Sequence, residues 1–179
     1  MDNDIYLTKS YRIYQQDEPI DCPLALFTDT VREQWIDYNG HMSESFYLYA
    51  MGEASDALFR YVGIDEAYRA LGSSFYTVET HINYYQEVAG GQPLRFTTQI
   101  LGIDTKRLHF FHHMYHGDTG ELLATTEQML LHVDMNTSSA APIKPQVLAV
   151  LEQIWQAHKH LPAPKQQGRV MAVSSAKKT

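Results

Sequence analysis

The chain has 179 residues, in which 14 Lys and Arg stand against 21 Asp and Glu, a formal net charge of −7 with histidine neutral. Such an acidic balance argues against a nucleic-acid groove, whose affinity comes from Lys and Arg set against phosphates. Cys22 is the one cysteine, which excludes an internal disulfide and a thiolate metal cluster. The length suits one domain, and 44% apolar residues suffice for a packed core.

Residues 1–23 are weakly patterned and read as an extension leading into a single domain over 24–162, with 163–179 as a tail. The opening M-D-N-D-I-Y-L-T-K-S lacks the basic region and apolar stretch of a secretory signal, and nowhere do about 18 apolar residues run together as a membrane span requires. A soluble cytoplasmic protein is the expectation. From Leu24 to Ile36 the residues Phe27, Thr28, Thr30, Val31, Trp35 and Ile36 predict a strand, which breaks at Asp37-Tyr38-Asn39-Gly40 because Asn and Gly tolerate positive φ.

Ser43 is placed to cap a long helix in which Phe46, Ala50, Ala54, Ala57, Leu58 and Tyr61 recur at helical spacing, and Gly63 is placed to end it. The small residues Ala50, Gly52, Ala54 and Ala57 allow that helix to approach a flat partner, most simply a sheet. A short helical piece follows at Asp65–Leu71. Four strand-like segments then run from Phe75 to about Met135, broken at Gly90-Gly91, at 102–104 and at 117–120, with turns short enough for antiparallel hairpins. In the first of them, alternation places Thr77, Glu79, His81 and Asn83 on one face. Pro145 opens a last helix whose Val147, Leu148, Leu151, Ile154, Trp155 and His158 share a face. From Lys165 onward there are basic residues and no acid, which reads as a frayed end. The order is that of an α+β fold, one sheet of about five strands covering a helix, and its uncovered edges favour a dimer.

The densest polar cluster is Asp37-Tyr38-Asn39-Gly40-His41-Met42, just before the long helix. A helix N-terminus offers unbonded N–H groups and partial positive charge, which suit an oxyanion, and a carboxylate and imidazole beside them suit acyl transfer. The same residue types also serve as simple turn and capping residues. Glu79 is a second carboxylate, useful only if its strand face meets the helix start or a partner subunit. His109, His112, His113 and His116 invite a metal reading, but at roughly 3.3 Å per residue a strand sets His112 and His116 about 13 Å apart, too far to share an ion. No metal or cofactor is expected. Lys106-Arg107 is a compact basic spot suited either to solvent or to the phosphates of a nucleotide-like ligand. G-x-S-x-G, G-x-x-x-x-G-K and H-E-x-x-H are all absent from the sequence.

W-I-D-Y-N-G-H-M-S-E-S-F-Y-L, from Trp35 to Leu48, resembles the strand-to-helix segment of hotdog-fold acyl-CoA thioesterases of the 4-hydroxybenzoyl-CoA type, where D-x-N-x-H-M precedes the central helix. Y-T-V-E-T-H-I-N-Y from Tyr76, D-T-K-R-L-H-F-F-H from Asp104 and A-T-T-E-Q-M-L-L-H-V-D from Ala124 look more specifically like betainyl-CoA thioesterases of carnitine breakdown, which also occur fused to carnitine 3-dehydrogenase. The resemblance implies a sheet of five or six antiparallel strands wrapped round a central helix, paired as a homodimer or a dimer of dimers with sites at the subunit interface. It implies Asp37 as catalytic carboxylate with Asn39 and His41 in its loop, Glu79 facing the site across the dimer, and oxyanion donors among the N–H groups of Gly40, Met42, Ser43 and Glu44.

A betainyl group ends in a trimethylammonium, which is recognised by aromatic faces. Trp35, Tyr38, Phe75, Tyr76 and Tyr84 are the aromatics nearest the implied catalytic segments and form the expected acyl cage, with Lys106 and Arg107 toward the CoA phosphates. The implied activity is hydrolysis of betainyl-CoA to glycine betaine and CoA. Its rivals are another acyl-CoA as substrate, enoyl-CoA hydration on the same fold and a non-catalytic acyl-CoA-binding module. Hydration is associated with D-x-N-P-x-H, whereas here Gly40 replaces Pro and His41 comes one residue sooner.

Overall fold

The computed structural model describes residues 11–172. Strand β1 (Leu24–Thr30) is followed by a single 3₁₀ turn and the long helix α1 (Glu44–Tyr61), then by the short helix α2 (Glu66–Ala70). Strands β2 (Ser73–Tyr84), β3 (Pro93–Ile103), β4 (Arg107–His116) and β5 (Leu122–Asp134), the two-residue β6 (Ser139–Ala140) and helix α3 (Pro145–His158) complete the chain. All pairings are antiparallel, in the order β1-β3-β4-β5-β2, with β6 extending the sheet beside β5.

The sheet curls around α1, whose Ala50, Ala54 and Ala57 are buried, as their spacing predicts. Gly63 ends the helix with φ +90°, and the Asp65 carboxylate caps α2 by accepting from the Tyr68 N–H at 2.9 Å. Helix α3 packs on β3 and buries Val147, Leu151, Ile154 and His158.

Three expectations about the strands are corrected. The first strand stops at Thr30 rather than Ile36: Val31 still donates to Gln92 O (2.9 Å) and accepts from Gly91 N–H (2.8 Å), and there the neighbouring segment turns away at Gly90-Gly91. The chain instead turns at Glu33–Trp35 and drops the Trp35 ring into the core. Hairpins form between β3 and β4 and between β4 and β5, but β2 does not pair with β3; residues 85–92 carry the chain across the end of the sheet, and β2 lines up on β5. Finally, β2 is bulged. Thr77 opposes Leu130 and Glu79 opposes Met129, so Val78 is an extra residue. Thr77 therefore faces α1 with Thr80, Ile82 and Tyr84, whereas Tyr76, Glu79, His81 and Asn83 share the outer face.

Residues 162–170 are not a frayed end. They cross the outer face of the sheet, with the Gln99 side-chain amide donating to Pro162 O (3.4 Å), Gly168 N–H to Glu127 Oε2 (2.7 Å) and the Arg169 guanidinium to Asn83 Oδ1 (3.1 Å). Phe111, which lies between Gln99 and Glu127 on that face, is fully buried. The tail beyond 172, with Lys177 and Lys178, lies outside the described residues.

Buried histidines tie the layers together. His112 Nε2 meets Ser55 Oγ of α1 at 3.0 Å and its Nδ1 meets Thr98 Oγ1 of β3 at 2.8 Å. His158 Nδ1 accepts from Ile100 N–H at 3.0 Å, beyond the end of β1, while its Nε2 donates to Asp21 O at 2.9 Å. His132 bridges Tyr68 Oη (2.7 Å) and Ala141 O (2.9 Å). Burial pushes all three imidazoles below the usual histidine range, His112 to about 3. The unfolded chain takes up protons at these rings near pH ~6.5 while the native protein does not, so stability falls as pH drops below that value. Urea midpoints should decline steadily from about pH 7 to about pH 4, each ring contributing up to ~1.4 kcal/mol per pH unit. His112→Gln should flatten that slope, and equal slopes for the two proteins would contradict the assignment.

Candidate active site

The loop between the 3₁₀ turn and α1 is a tight reversal. Gly40 N–H donates to Asp37 O (3.0 Å), Asp37 N–H to His41 O (3.0 Å), and Ile36 bridges to Met42. Asp37 Oδ1 accepts from the Asn39 N–H at 2.8 Å, an Asx turn that fixes the half-buried carboxylate against its own loop. Gly40 sits at φ +83°, as the Asn-Gly signal predicts. His41 leaves the turn toward the β2–β3 connection, with Nδ1 at 3.0 Å from Glu87 Oε2.

This geometry narrows the expected oxyanion donors. The N–H of Gly40 is consumed by Asp37 O, that of Met42 by Val88 O (2.9 Å) and that of Ser43 by Trp35 O (2.9 Å). Phe46 N–H turns back to Ser43 O. Ser43 occupies the N-cap, but its side chain makes no capping bond. Among the described residues the donors left at the start of α1 are therefore those of Glu44, which was expected, and Ser45, which was not. The strand crossing that absorbs the Met42 N–H is a tertiary contact with no local sequence signal.

Beside these donors lies a cavity of about 490 Å³ lined by Met42, Glu44, Tyr47, Tyr84, Tyr85, Gln86 and Glu87. Tyr47, on the first turn of α1, donates its hydroxyl to Gln86 O (3.1 Å), and Tyr84, at the end of β2, donates to Glu44 O (3.3 Å). The two rings meet edge to face with centroids 5.5 Å apart. Burial pushes the Tyr47 hydroxyl up to about 12, with the Glu87 charge adding to it, and burial followed by the Glu44 charge raises Tyr84. Another concavity, about 870 Å³, is a groove between the N-terminal segment and α3 that none of these loop residues line.

Of the five aromatics expected in the acyl cage, only Tyr84 lines this cavity. Trp35 is 2% exposed, stacked on Phe46 and covered by the Arg32 guanidinium. Phe75 is 7% exposed and stacks on Phe59. Tyr38 is 97% exposed, projecting from the turn, and Tyr76 lies on the outer face, about 26 Å along β2 from Tyr84 at the usual strand rise. Glu79 is likewise on the outer face, 2.9 Å from His81 Nε2, and does not meet Asp37 within the protomer. Lys106 and Arg107 are held by Asp104, whose Oδ1 accepts both backbone N–H groups and whose carboxyl they pull below the usual range. Arg107 stands about 23 Å along β4 from Met114, the residue level with Tyr84, so it too is remote from the loop of its own chain. Among the described residues no three His, Cys, Asp or Glu side chains converge as metal ligands, and both ring nitrogens of His112 are already occupied.

The residues the sequence did not single out are Ser45, Tyr47, Tyr85, Gln86 and Glu87. Tyr47 carried a weak signal, three residues after Glu44 and so on the same helix face. Tyr85, Gln86 and Glu87 carried none, because they reach the cavity only through the crossing from β2 to β3.

Residues 31–151 match the family model of the thioesterase-like superfamily. This chain belongs to that superfamily. A betainyl-CoA thioesterase of Pseudomonas aeruginosa PAO1 is 42% identical over 151 residues, covering 84% of this chain and 95% of that protein. An L-carnitine dehydrogenase/betainyl-CoA thioesterase of Rhizobium meliloti 1021 is 45% identical over 147 residues, 82% of this chain, but this chain spans only 30% of that longer protein. A candidate thioesterase of Pseudomonas putida KT2440, known from its crystal structure, is 36% identical with a TM-score of 0.74, covering 86% of this chain and 98% of that one. A Staphylococcus aureus protein solved in complex with CoA shares the fold at 24% identity and a TM-score of 0.75, covering 87% and 99%. The hotdog architecture implied by the sequence blocks is the architecture found.

In this thioesterase fold the loop conformation at Gly40 is demanding. No heavy atom lies within 4 Å of a Cβ built there, so the cost of a side chain is backbone strain alone. Gly40→Ala should lower stability by about 1–2 kcal/mol, read by urea denaturation. A variant as stable as the parent would mean that the left-handed turn is not held.

Proposed function

We propose that this protein hydrolyses acyl-CoA thioesters and that its substrate is betainyl-CoA, giving glycine betaine and CoA. The observation that carries the reading is the pair of unclaimed N–H groups at the start of α1, next to the Asp37 loop and opening on the tyrosine-lined cavity. With the thioester carbonyl at the Glu44 and Ser45 N–H groups, negative charge developing on its oxygen meets fixed donors and the positive end of α1. Asp37 supplies the carboxylate, which either takes a proton from the attacking water or bonds to the carbonyl carbon itself as an anhydride that water then opens. The Asn39 N–H holds that carboxylate in place. The C–S bond breaks, water oxygen ends on the acyl group and a water proton on the CoA sulfur. Likeness to betainyl-CoA thioesterases at 42–45% identity supports the substrate. A CoA thioester as substrate supports a cytoplasmic location, and among the described residues no helix is long and apolar enough to cross a membrane.

Thiol release measured over a panel of acyl-CoAs tests the reaction. Betainyl-CoA should be cleaved, and Asp37→Asn should lose about 10²–10⁴-fold in kcat. Full activity in Asp37→Asn, or stoichiometric retention of acyl-CoA without turnover, would sink the assignment. Loss of crotonyl-CoA absorbance would instead reveal a hydratase.

The working unit in this reading is a homodimer joined along β2, which ends the sheet with Tyr76 50% and Val78 57% exposed. Two such edges laid antiparallel bring the Tyr84 end of one copy to the Phe75 end of the other. That arrangement carries Lys106 and Arg107 of the second copy toward the Asp37 loop of the first, where CoA phosphates need cations. A lysine on a strand edge blocks pairing. Val78→Lys should therefore sediment as a monomer with thioesterase activity lost, whereas an unchanged assembly would place the interface elsewhere.

A further inference from the structure

The cavity beside α1 has an unusual chemical inventory. Among the described residues its lining holds three tyrosines and two glutamates, and no lysine or arginine. The phenol hydroxyls are already engaged: Tyr47 with Gln86 O, Tyr84 with Glu44 O, and Tyr85 with Thr125 Oγ1 at 3.3 Å. What remains for a ligand is ring surface, the Met42 side chain, the Gln86 amide and negative charge. Neutral acyl chains gain nothing from two carboxylates, and an anionic acyl group is repelled by them. A quaternary ammonium has no N–H to donate, so bound hydroxyls cost it nothing, while ring faces and carboxylates both attract it.

Position matters as much as composition. In a betainyl thioester a single methylene separates the cation from the reacting carbonyl. A cation subsite must therefore abut the oxyanion donors. Glu44 meets both requirements, contributing its N–H to the start of α1 and lining the cavity with Tyr47 and Tyr84. Glu87 closes the opposite side, where its Oε2 also holds His41 Nδ1, so the carboxylate is steered by the catalytic loop itself.

We propose that Tyr47, Tyr84 and Tyr85 form the walls of a trimethylammonium subsite, with Glu44 and Glu87 as its counter-charges and Glu87 as the residue that sets specificity. The proposal rests on the thioester-hydrolysis reading for its catalytic consequence, and it replaces the cage expected from Trp35, Tyr38, Phe75 and Tyr76, which the fold buries or turns away.

The decisive probe is 3,3-dimethylbutyryl-CoA, in which carbon replaces the quaternary nitrogen with the shape kept and the charge removed. The parent protein should prefer betainyl-CoA by about tenfold or more in kcat/KM, tenfold corresponding to ~1.4 kcal/mol. Glu87→Gln and Tyr84→Leu should each shrink that ratio several-fold, whatever they do to the absolute rates. Glu152→Gln, the same charge change in the distant groove beside α3, should leave the ratio as it is. Equal kcat/KM for the two thioesters in the parent, or an unchanged ratio in both cavity variants, would overturn the subsite. Cleavage of neither thioester would count against the reaction, and calorimetry with glycine betaine in the presence of CoA then decides the subsite by itself. Binding that is lost in Glu87→Gln supports it, and absence of binding to the parent protein overturns it.

Discussion

An α-helix cannot satisfy its own first N–H groups, and a fold must decide which neighbours will. Here the seating of α1 makes that decision. Ala50, Ala54 and Ala57 let the curled sheet close on the helix, which fixes its start beside the crossing from β2 to β3. The crossing takes the Met42 N–H, the 3₁₀ turn takes that of Ser43, and Glu44 and Ser45 are left with theirs. Ser43 could have filled the deficit with its hydroxyl and does not. The candidate site is a local capping failure held in place by global packing.

That packing is itself pinned by polar contacts more than such a small domain requires for burial alone. A neutral imidazole donates from one nitrogen and accepts at the other, so it can join two elements that share no ladder. His112 joins α1 to β3, His158 joins α3 and the N-terminal segment to β3, and His132 joins α2 to the residues after β6. Nine histidines in an acidic chain invite a metal reading, but these three serve as bolts. Placing them in dry interiors costs the protein its tolerance of acid, since a proton on any of them removes an acceptor that the neighbour needs.

Features governed by a few consecutive residues were legible in the sequence: the turn at Asn39-Gly40, the stop at Gly63, the short helical piece from Asp65, the Pro145 start and the apolar faces of α1 and α3. The long helix inside an antiparallel sheet followed from their order. Features set by partners were not. Val31 and Trp35 have strand propensity, but the neighbouring segment turns at Gly90-Gly91, so the pairing ends with Val31. Alternation along β2 reads correctly on each side of Val78 and fails across it, because a bulge depends on register with β5. At the site, the Asp37 loop and the start of α1 were visible as a motif. The walls were not, since Tyr85 and Glu87 have no pattern of their own and Trp35 looks as available as Tyr84 until its burial is known.

The stretch over the outer face of the sheet has a consequence for how the chain comes into being. Gln99, Phe111 and Glu127 belong to strands that can pair as soon as β5 is made, yet the backbone that bonds Gln99 and Glu127, on either side of the buried Phe111, comes from Pro162 and Gly168. A nascent chain paused after α3 would display Phe111 on an open sheet surface, with its neighbouring side-chain partners unmet. The most hazardous interval in its synthesis would thus fall between the completion of α3 and the arrival of residue 170, when the fold around α1 is already closed and only its back remains bare.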